Sequence, residues 1–270
     1  MPANERVSNA QPHEDAVLSI PDGIIDVHCH VLPGVDDGSR DMKESIALLK
    51  SAYQQGVVSC IATPHYSRRS EDRDRCARQA ALCRELQEAA KEAIHPDFHV
   101  FFGQETYYHE ELKDRIDGKV GWTIAGSRYV LVEFSPMTDY SMIRRGLRQV
   151  LGIGYVPILA HMERYPAIRE RVQERGGKTT GIDELRSMGV ILQMNYDSLT
   201  GSIFNREVRW CRDQVKRGII DLMGSDMHRT DFRPPELTEP LKWMEKNLTK
   251  EMFLKITREN AVKVLLDEEF

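Results

Sequence analysis

Cysteine is scarce and unpaired in this 270-residue chain. The five thiols, Cys29, Cys60, Cys76, Cys83 and Cys211, are odd in number and share no paired spacing. That argues against a disulfide framework and for reduced thiols in a cytosolic setting. An excess of basic charge is also missing. Thirty-seven Lys and Arg against 42 Asp and Glu leave a net charge of −5, which disfavours a general nucleic-acid binder. No apolar run approaches the ~20 residues of a membrane span. The N-terminal MPANERVSNAQPHEDAVLS lacks the apolar core of a signal peptide. No linker, low-complexity tract or internal repeat divides the chain. The expectation is a soluble cytoplasmic protein without membrane insertion, large enough to fold without a disulfide staple.

What the chain does contain is an alternation of short β-branched runs and amphipathic stretches. Residues 1–22 are polar and aperiodic and read as a mobile arm, with His13 an exposed histidine. Residues 23–270 read as one domain. Apolar runs at 24–31, 57–63, 98–103, 129–132, 155–160, 189–194 and 219–224 predict seven strands. Between them, helical spacing covers 41–55, 73–93, 141–151, 181–188, 205–217 and 236–246. Met42, Ile46, Leu49 and Tyr53 illustrate the stripe. A last helix over 250–266 has Thr249 as its N-cap and Glu251 in its first turn. Strands mostly followed by helices imply an α/β fold with a parallel sheet. Closed on itself, that sheet is a distorted (β/α)7 barrel with its chemistry at the carboxyl ends of the strands. An open doubly wound sheet is the alternative, but it would not let ligands from all strands converge.

Each run ends in a residue able to bind a metal or a phosphate. His28 and His30 sit one residue apart on the first strand, so both face one side and Cys29 the other. His65 follows the second run, Glu105 the third, Glu133 the fourth and His161 the fifth. Asp226 and His228 repeat the one-residue spacing after the last. Asp37, in VDDGSRD, joins the candidates; taken alone, Asp36 and Asp37 are ordinary turn residues. A carboxylate where an apolar run ends is costly to bury without a cation. Nine candidate ligands (His28, His30, Asp37, His65, Glu105, Glu133, His161, Asp226 and His228) are enough for two or three ions. Nitrogen and oxygen donors without thiolate suit manganese, iron or zinc. Clustered divalent ions activate water and clamp the oxygens of an in-line displacement, which suits a phosphoester.

Arg164, three residues after His161, is the expected phosphate clamp, with Arg233 in DFRPP a second. Arg68 and Arg69, after His65, are placed to receive an acidic phosphopeptide, although a solvated loop is the commoner reading. Cys211 and Arg217 match the C-x5-R spacing of thiol-dependent tyrosine phosphatases. The intervening RDQVK has no glycine and continues a helical pattern, so the match is accidental.

The series IDVHCHVLPGVDDGSRD, ATPHY, GQE, LVEFS, AHMERY, GSDMH and RPP resembles the PHP superfamily. More narrowly it is similar to the manganese-dependent tyrosine phosphatases of bacterial capsule and exopolysaccharide loci, the CpsB/CapC type. The resemblance runs from about residue 24 to 265 with no motif missing. It implies a trinuclear site in a distorted barrel, held by the nine candidates, with Glu105 bridging two ions. It also implies catalytic roles for Arg164, Asp226, His228 and Arg233, with the two arginines contacting phosphate. The implied substrate is a phosphotyrosine-bearing protein, the tail of a bacterial tyrosine autokinase that governs polysaccharide synthesis. Some members form ring-like oligomers; the helix from Arg73 suits such packing and suits solvent equally. The rivals are another PHP phosphoesterase such as a histidinol-phosphate phosphatase, a nuclease, an amidohydrolase, and a catalytically silent binding scaffold. The acidic charge opposes a nuclease, and glutamates where an amidohydrolase would want a bridging lysine oppose that class.

Overall fold

Runs of Ile, Val and Leu too short for helices set the frame. The computed structural model describes residues 14–66, 73–109, 123–169, 171–174 and 177–270. Its first strand is Ile24–Cys29 (β1), which pairs in parallel with Val57–Ala62 (β2). His65–Tyr66 (β3) resumes the path of β2 after Thr63 and Pro64. In the same way His99–Phe102 (β4) resumes as Glu105–Tyr107 (β5). The register of β2 on β4, Ala62 opposite Phe102, carries on unchanged as His65 opposite Glu105. Bonds from Gly103 N to Ala62 O (2.9 Å) and from Glu105 N to Pro64 O (3.2 Å) span the interruption. Proline, having no N–H, ends regular pairing there.

Tyr129–Glu133 (β6) follows β5, and Val156–Leu159 (β7) follows β6. After a small antiparallel hairpin of Arg171–Glu174 (β8) and Gly177–Thr180 (β9), Ile191–Asn195 (β10) pairs with β7. Leu222–Gly224 (β11) pairs with β10. All these pairings except the hairpin are parallel. The sheet curls far enough for the segment after β11 to meet β1: Asp226 N bonds His28 O and His30 N bonds Met227 O, both at 2.8 Å. The alternative of an open doubly wound sheet does not describe this curl. The β8–β9 hairpin has no counterpart in the sequence reading.

Helices fill the connections. Glu14–Leu18 is α1, Met42–Tyr53 α2, Arg73–Ala93 α3 and Tyr140–Gly152 α4. Gly181–Ser187 is α5, Arg206–Lys216 α6 and Thr238–Asn247 α7. The C-terminal helix expected over 250–266 is three pieces: Lys250–Leu254 (α8), a π-helical stretch Lys255–Glu259, and Asn260–Leu265 (α9). Thr249 caps α8, its Oγ1 accepting from Met252 N at 3.2 Å. Asp41 caps α2 through Glu44 N at 2.8 Å, and Thr180 with Asp183 forms a capping box on α5. Among the described residues no helix is long and apolar enough to cross a membrane.

The strands are buried on both faces, which is why they read as near-continuous apolar runs. One apolar cluster lies between sheet and helices, with Leu48, Leu49, Leu86, Leu147 and Leu185 fully covered. The other packs Ile25, Ile61, Leu131, Ile158 and Leu222 together with Ala261, Val264 and Leu265 of α9. Val17 and Ile20 belong to that second cluster at 2% and 4% exposure. The arm expected through residue 22 is thus corrected from residue 14 onward. Arg258 ties this stretch down by donating to the carbonyls of Ile20 (2.8 Å) and Pro21 (2.5 Å). One apolar anchor on a five-residue helix and a second just beyond its end are too few to produce a periodic signal. His13 lies outside the described residues.

Candidate metal and phosphate site

The carboxyl ends of the strands bring all nine sequence candidates together. β1 delivers His28 and, just beyond its end, His30, both fully buried. His30 Nδ1 lies 2.9 Å from Asp36 Oδ2. Since that carboxylate accepts only, Nδ1 carries a proton and Nε2 is the nitrogen turned toward the site. His28 is fixed in the same way from the far side. Gln193 Oε1 accepts the backbone N–H of His161 at 2.7 Å, which sets the amide's orientation, and lies 3.2 Å from His28 Nδ1. The two Nε2 atoms then face one another 3.2 Å apart. Two ring nitrogens this close, buried together, fit a cation or a shared proton between them.

Glu105, 1% exposed at the start of β5, is the centre of the cluster. Its Oε2 is surrounded by His65 Nδ1 at 2.9 Å, His30 Nε2 at 3.3 Å and His28 Nε2 at 3.4 Å. That oxygen nevertheless has no well-formed hydrogen bond among the described residues. Oε1 lies 2.8 Å from His161 Nε2. Burial opposes ionisation of Glu105, yet His28, His161 and His30 around it hold the carboxyl well below the usual range. Glu133, at the end of β6, lies 3.7 Å from both His65 and His161. Burial first, and then the charge of Glu105, pushes Glu133 up to about 7. A like-charged carboxylate pair of this kind calls for a cation.

Asp37 and His228 complete the opposite rim. Asp37 Oδ1 is 3.4 Å from His65 Nε2 and 3.7 Å from His228 Nε2. His228 Nδ1 is held by the carbonyl of Asp226 at 2.8 Å, so its Nε2 also faces inward. Burial and the nearby His30 push His228 down to about 4. Asp226 turns Oδ1 toward His30 (3.4 Å) and His28 (3.7 Å). Its Oδ2 accepts from Arg164 (2.6 Å), Asn195 (2.9 Å) and Arg233 (3.2 Å). Of the five non-glycine residues with positive φ among the described residues, His161 (30°), Asp226 (53°) and Arg233 (55°) are all here. Strained backbone of this sort persists where the surrounding structure over-determines it.

Among the described residues three overlapping groups offer one ligand atom per residue within 4.8 Å of each other: His30, Asp37, His65 and His228; His28, His30 and Glu105; His65, Glu105 and Glu133. The shared residues, the orphaned Glu105 oxygen and the facing imidazole nitrogens all fit clustered divalent cations. The donors are nitrogen and oxygen throughout; all five thiols are buried elsewhere.

Some contributors were not singled out from the sequence. Asp36, read as a turn residue, orients His30 and accepts from His65 N at 2.9 Å. Gln193 was not noticed; polar residues at 193 and 195 in an otherwise apolar strand were the available signal. Glu163 accepts from Asn195 N (3.1 Å) and Ser198 Oγ (2.8 Å) and so fixes the turn after β10. Arg68 and Arg69 lie outside the described residues. Cys211 is buried on α6, and burial pushes its thiol up to about 12, the opposite of what a thiolate nucleophile needs.

The family described as capsular polysaccharide synthesis, CpsB/CapC, matches residues 24–266. The tyrosine-protein phosphatase CpsB of Streptococcus pneumoniae is 30% identical over 250 residues, covering 91% of this chain and 99% of that protein. The tyrosine-protein phosphatase YwqE of Bacillus subtilis is 30% identical over 247 residues, covering 91% of this chain and 92% of that one. A crystal structure from work on YwqE of Bacillus subtilis and CpsB of Streptococcus pneumoniae, described as unique metal-dependent tyrosine phosphatases, superposes with a TM-score of 0.72. Its sequence identity is 27%, over 92% of this chain and 96% of the other. The match runs through every strand that carries a candidate ligand, and by sequence and fold this chain belongs to the CpsB/CapC family.

Proposed function

We propose that this protein is a metal-dependent protein-tyrosine phosphatase built on a distorted (β/α)7 barrel over residues 23–270. Its substrate would be phosphotyrosine on the tail of a bacterial tyrosine kinase controlling capsule or exopolysaccharide synthesis. The observation that carries the reading is Glu105, whose buried Oε2 faces three imidazoles without a well-formed hydrogen bond.

His28, His30, Asp37, His65, Glu105, Glu133, His161, Asp226 and His228 would hold two or three ions. Manganese suits this oxygen- and nitrogen-rich set, with iron or zinc as alternatives. When bound, such ions lower the pKa of water and offset the charge of a phosphoryl group. Asp36, Gln193 and the Asp226 carbonyl keep the Nε2 atoms of His30, His28 and His228 directed inward. Arg164 and Arg233 converge on Asp226 Oδ2, and their remaining N–H groups are the donors for equatorial phosphate oxygens. Asp226 holds both guanidinium groups in place before substrate arrives, so little reorganisation is left for the transition state. The phenolate leaving group, with pKa ~10, departs more readily than an alkoxide.

The test is hydrolysis of a phosphotyrosyl peptide by metal-stripped protein with Mn²⁺ added back, and histidinol phosphate as a comparator. Restored activity on the peptide is expected. No turnover by the fully loaded protein would overturn the assignment.

A further inference from the structure

A single exposed phenylalanine is ordinary on a protein surface. Phe232 differs in how firmly its exposure is held and where it is. It lies between His228 and Arg233 on a tight turn after β11, and the residue is 49% exposed. Reciprocal bonds join Arg229 N to Phe232 O (2.9 Å) and Phe232 N to Arg229 O (3.3 Å), and His228 N to Arg233 O (3.0 Å) closes the next rung. The tip of the turn is anchored to the start of α2. Thr230 donates through N (3.1 Å) and Oγ1 (2.9 Å) to Glu44 Oε1, and Asp231 pairs with Arg40. The backbone that carries the ring is therefore held in place at the rim of the site.

Its neighbours place it at the edge of the site. The ring stands edge-on to His228, centroids 6.4 Å apart and planes at 89°. The Arg229 and Arg233 guanidinium carbons lie 5.3 Å and 5.7 Å from its centroid. Arg233 is also the side chain whose Nη1 lies 3.2 Å from Asp226 Oδ2. A phosphate held by that guanidinium would lie within one ester group's reach of the Phe232 ring. An aryl ester carries its own ring one oxygen away from phosphorus, where an offset or edge-to-face contact between the rings is geometrically natural.

We propose that Phe232 is an aryl platform, a specificity-determining residue that favours aryl over alkyl phosphate esters by packing against the substrate's phenyl ring. The proposal deepens the phosphatase reading and rests on it. The turn holds the backbone beneath the ring in place before substrate arrives, so little backbone ordering is left for binding.

Two measurements on metal-loaded protein test this in the wild type, Phe232→Ala and Phe232→Tyr. The first is the ratio of kcat/KM for phenyl phosphate to that for glycerol 2-phosphate. Comparing this ratio between variants cancels the intrinsic difference in leaving groups. It should fall about 3- to 10-fold in Phe232→Ala and be kept in Phe232→Tyr, as expected for loss of one aromatic pair. The second is calorimetric binding of benzylphosphonate against ethylphosphonate, whose preference should vanish in Phe232→Ala. An unchanged ratio together with an unchanged binding preference in Phe232→Ala would overturn the platform. Should the wild type hydrolyse no phosphate ester, the phosphatase reading falls and the binding preference alone decides the platform.

Discussion

Asp36 Oδ2 sits 2.9 Å from His30 Nδ1 and 2.9 Å from the backbone nitrogen of His65, so one carboxylate oxygen orients two candidate ligands from different strands. Its other oxygen accepts from Gly38 N at 3.0 Å, and the hydrogen bonds to His30, His65 and Gly38 hold the carboxyl down at about 2 against the effect of burial. Removing it frees His30 to rotate or change tautomer. Asp36→Ala is expected to weaken Mn²⁺ binding about 10- to 100-fold, read by calorimetric titration of the metal-free protein. Wild-type affinity in the variant would mean that His30 needs no such support.

Glu105 and His65 meet at 2.9 Å in the middle of the cluster. Glu105→Gln and His65→Ala should each reduce hydrolysis of a phosphotyrosyl peptide to background while the circular dichroism spectrum stays that of the wild type. Full activity in either variant would remove that residue from the site.

Cys211→Ser should leave kcat/KM unchanged, and iodoacetamide should not inactivate the wild type. The thiol is 3% exposed and burial keeps it protonated near neutral pH. Loss of activity on either treatment would reopen the thiol mechanism.

Glu163 is 8% exposed and its Oε2 has no partner among the described residues. Burial raises its carboxyl from the usual 4.5 to about 7. A carboxyl raised in the folded state binds its proton more tightly there than in the unfolded chain. Its stabilisation is complete below pH 4.5 and is lost as pH rises through 7, on the order of 3 kcal/mol in all. Glu163→Gln keeps an oxygen for Asn195 and Ser198 but cannot ionise. Urea unfolding at pH 5 and pH 8 should show a smaller loss of stability in the variant than in the wild type. Equal losses would place the raised pKa elsewhere.

Gly38 lets the chain turn tightly against His30. A Cβ there would lie 2.1 Å from His30 O and 2.6 Å from His30 Cβ. Gly38→Ala should therefore cost about 1–3 kcal/mol of stability by overpacking and weaken metal binding with it. Thermal unfolding with and without Mn²⁺ measures both effects, and an unaltered midpoint would show that the turn can shift freely.

Most strands and helices, and the chemistry at the strand ends, can be read from residue pattern. Strands buried on both faces must be apolar along their whole length, and amphipathic helices must show a stripe, so β1, β6, β10, α3 and α6 were legible from residue pattern alone. His28 with His30 were legible too, because alternation along an extended chain puts both on one face, and Asp226 with His228 were marked by the same spacing although the left-handed backbone at Asp226 breaks the alternation there. Tertiary structure decided what depends on meeting across the chain. The separation of 165 residues between His28 and Gln193, bonded at 3.2 Å, leaves no local trace. Asp36 looked like its neighbour Asp37 because both belong to one turn; only the curl of the sheet determines that the first holds imidazoles in place while the second faces them across the site. The burial of Val17 and Ile20 likewise depends on α9, more than 240 residues along, supplying the surface they cover. Pattern records a residue's own periodicity, whereas a partner is chosen by the path of the whole backbone.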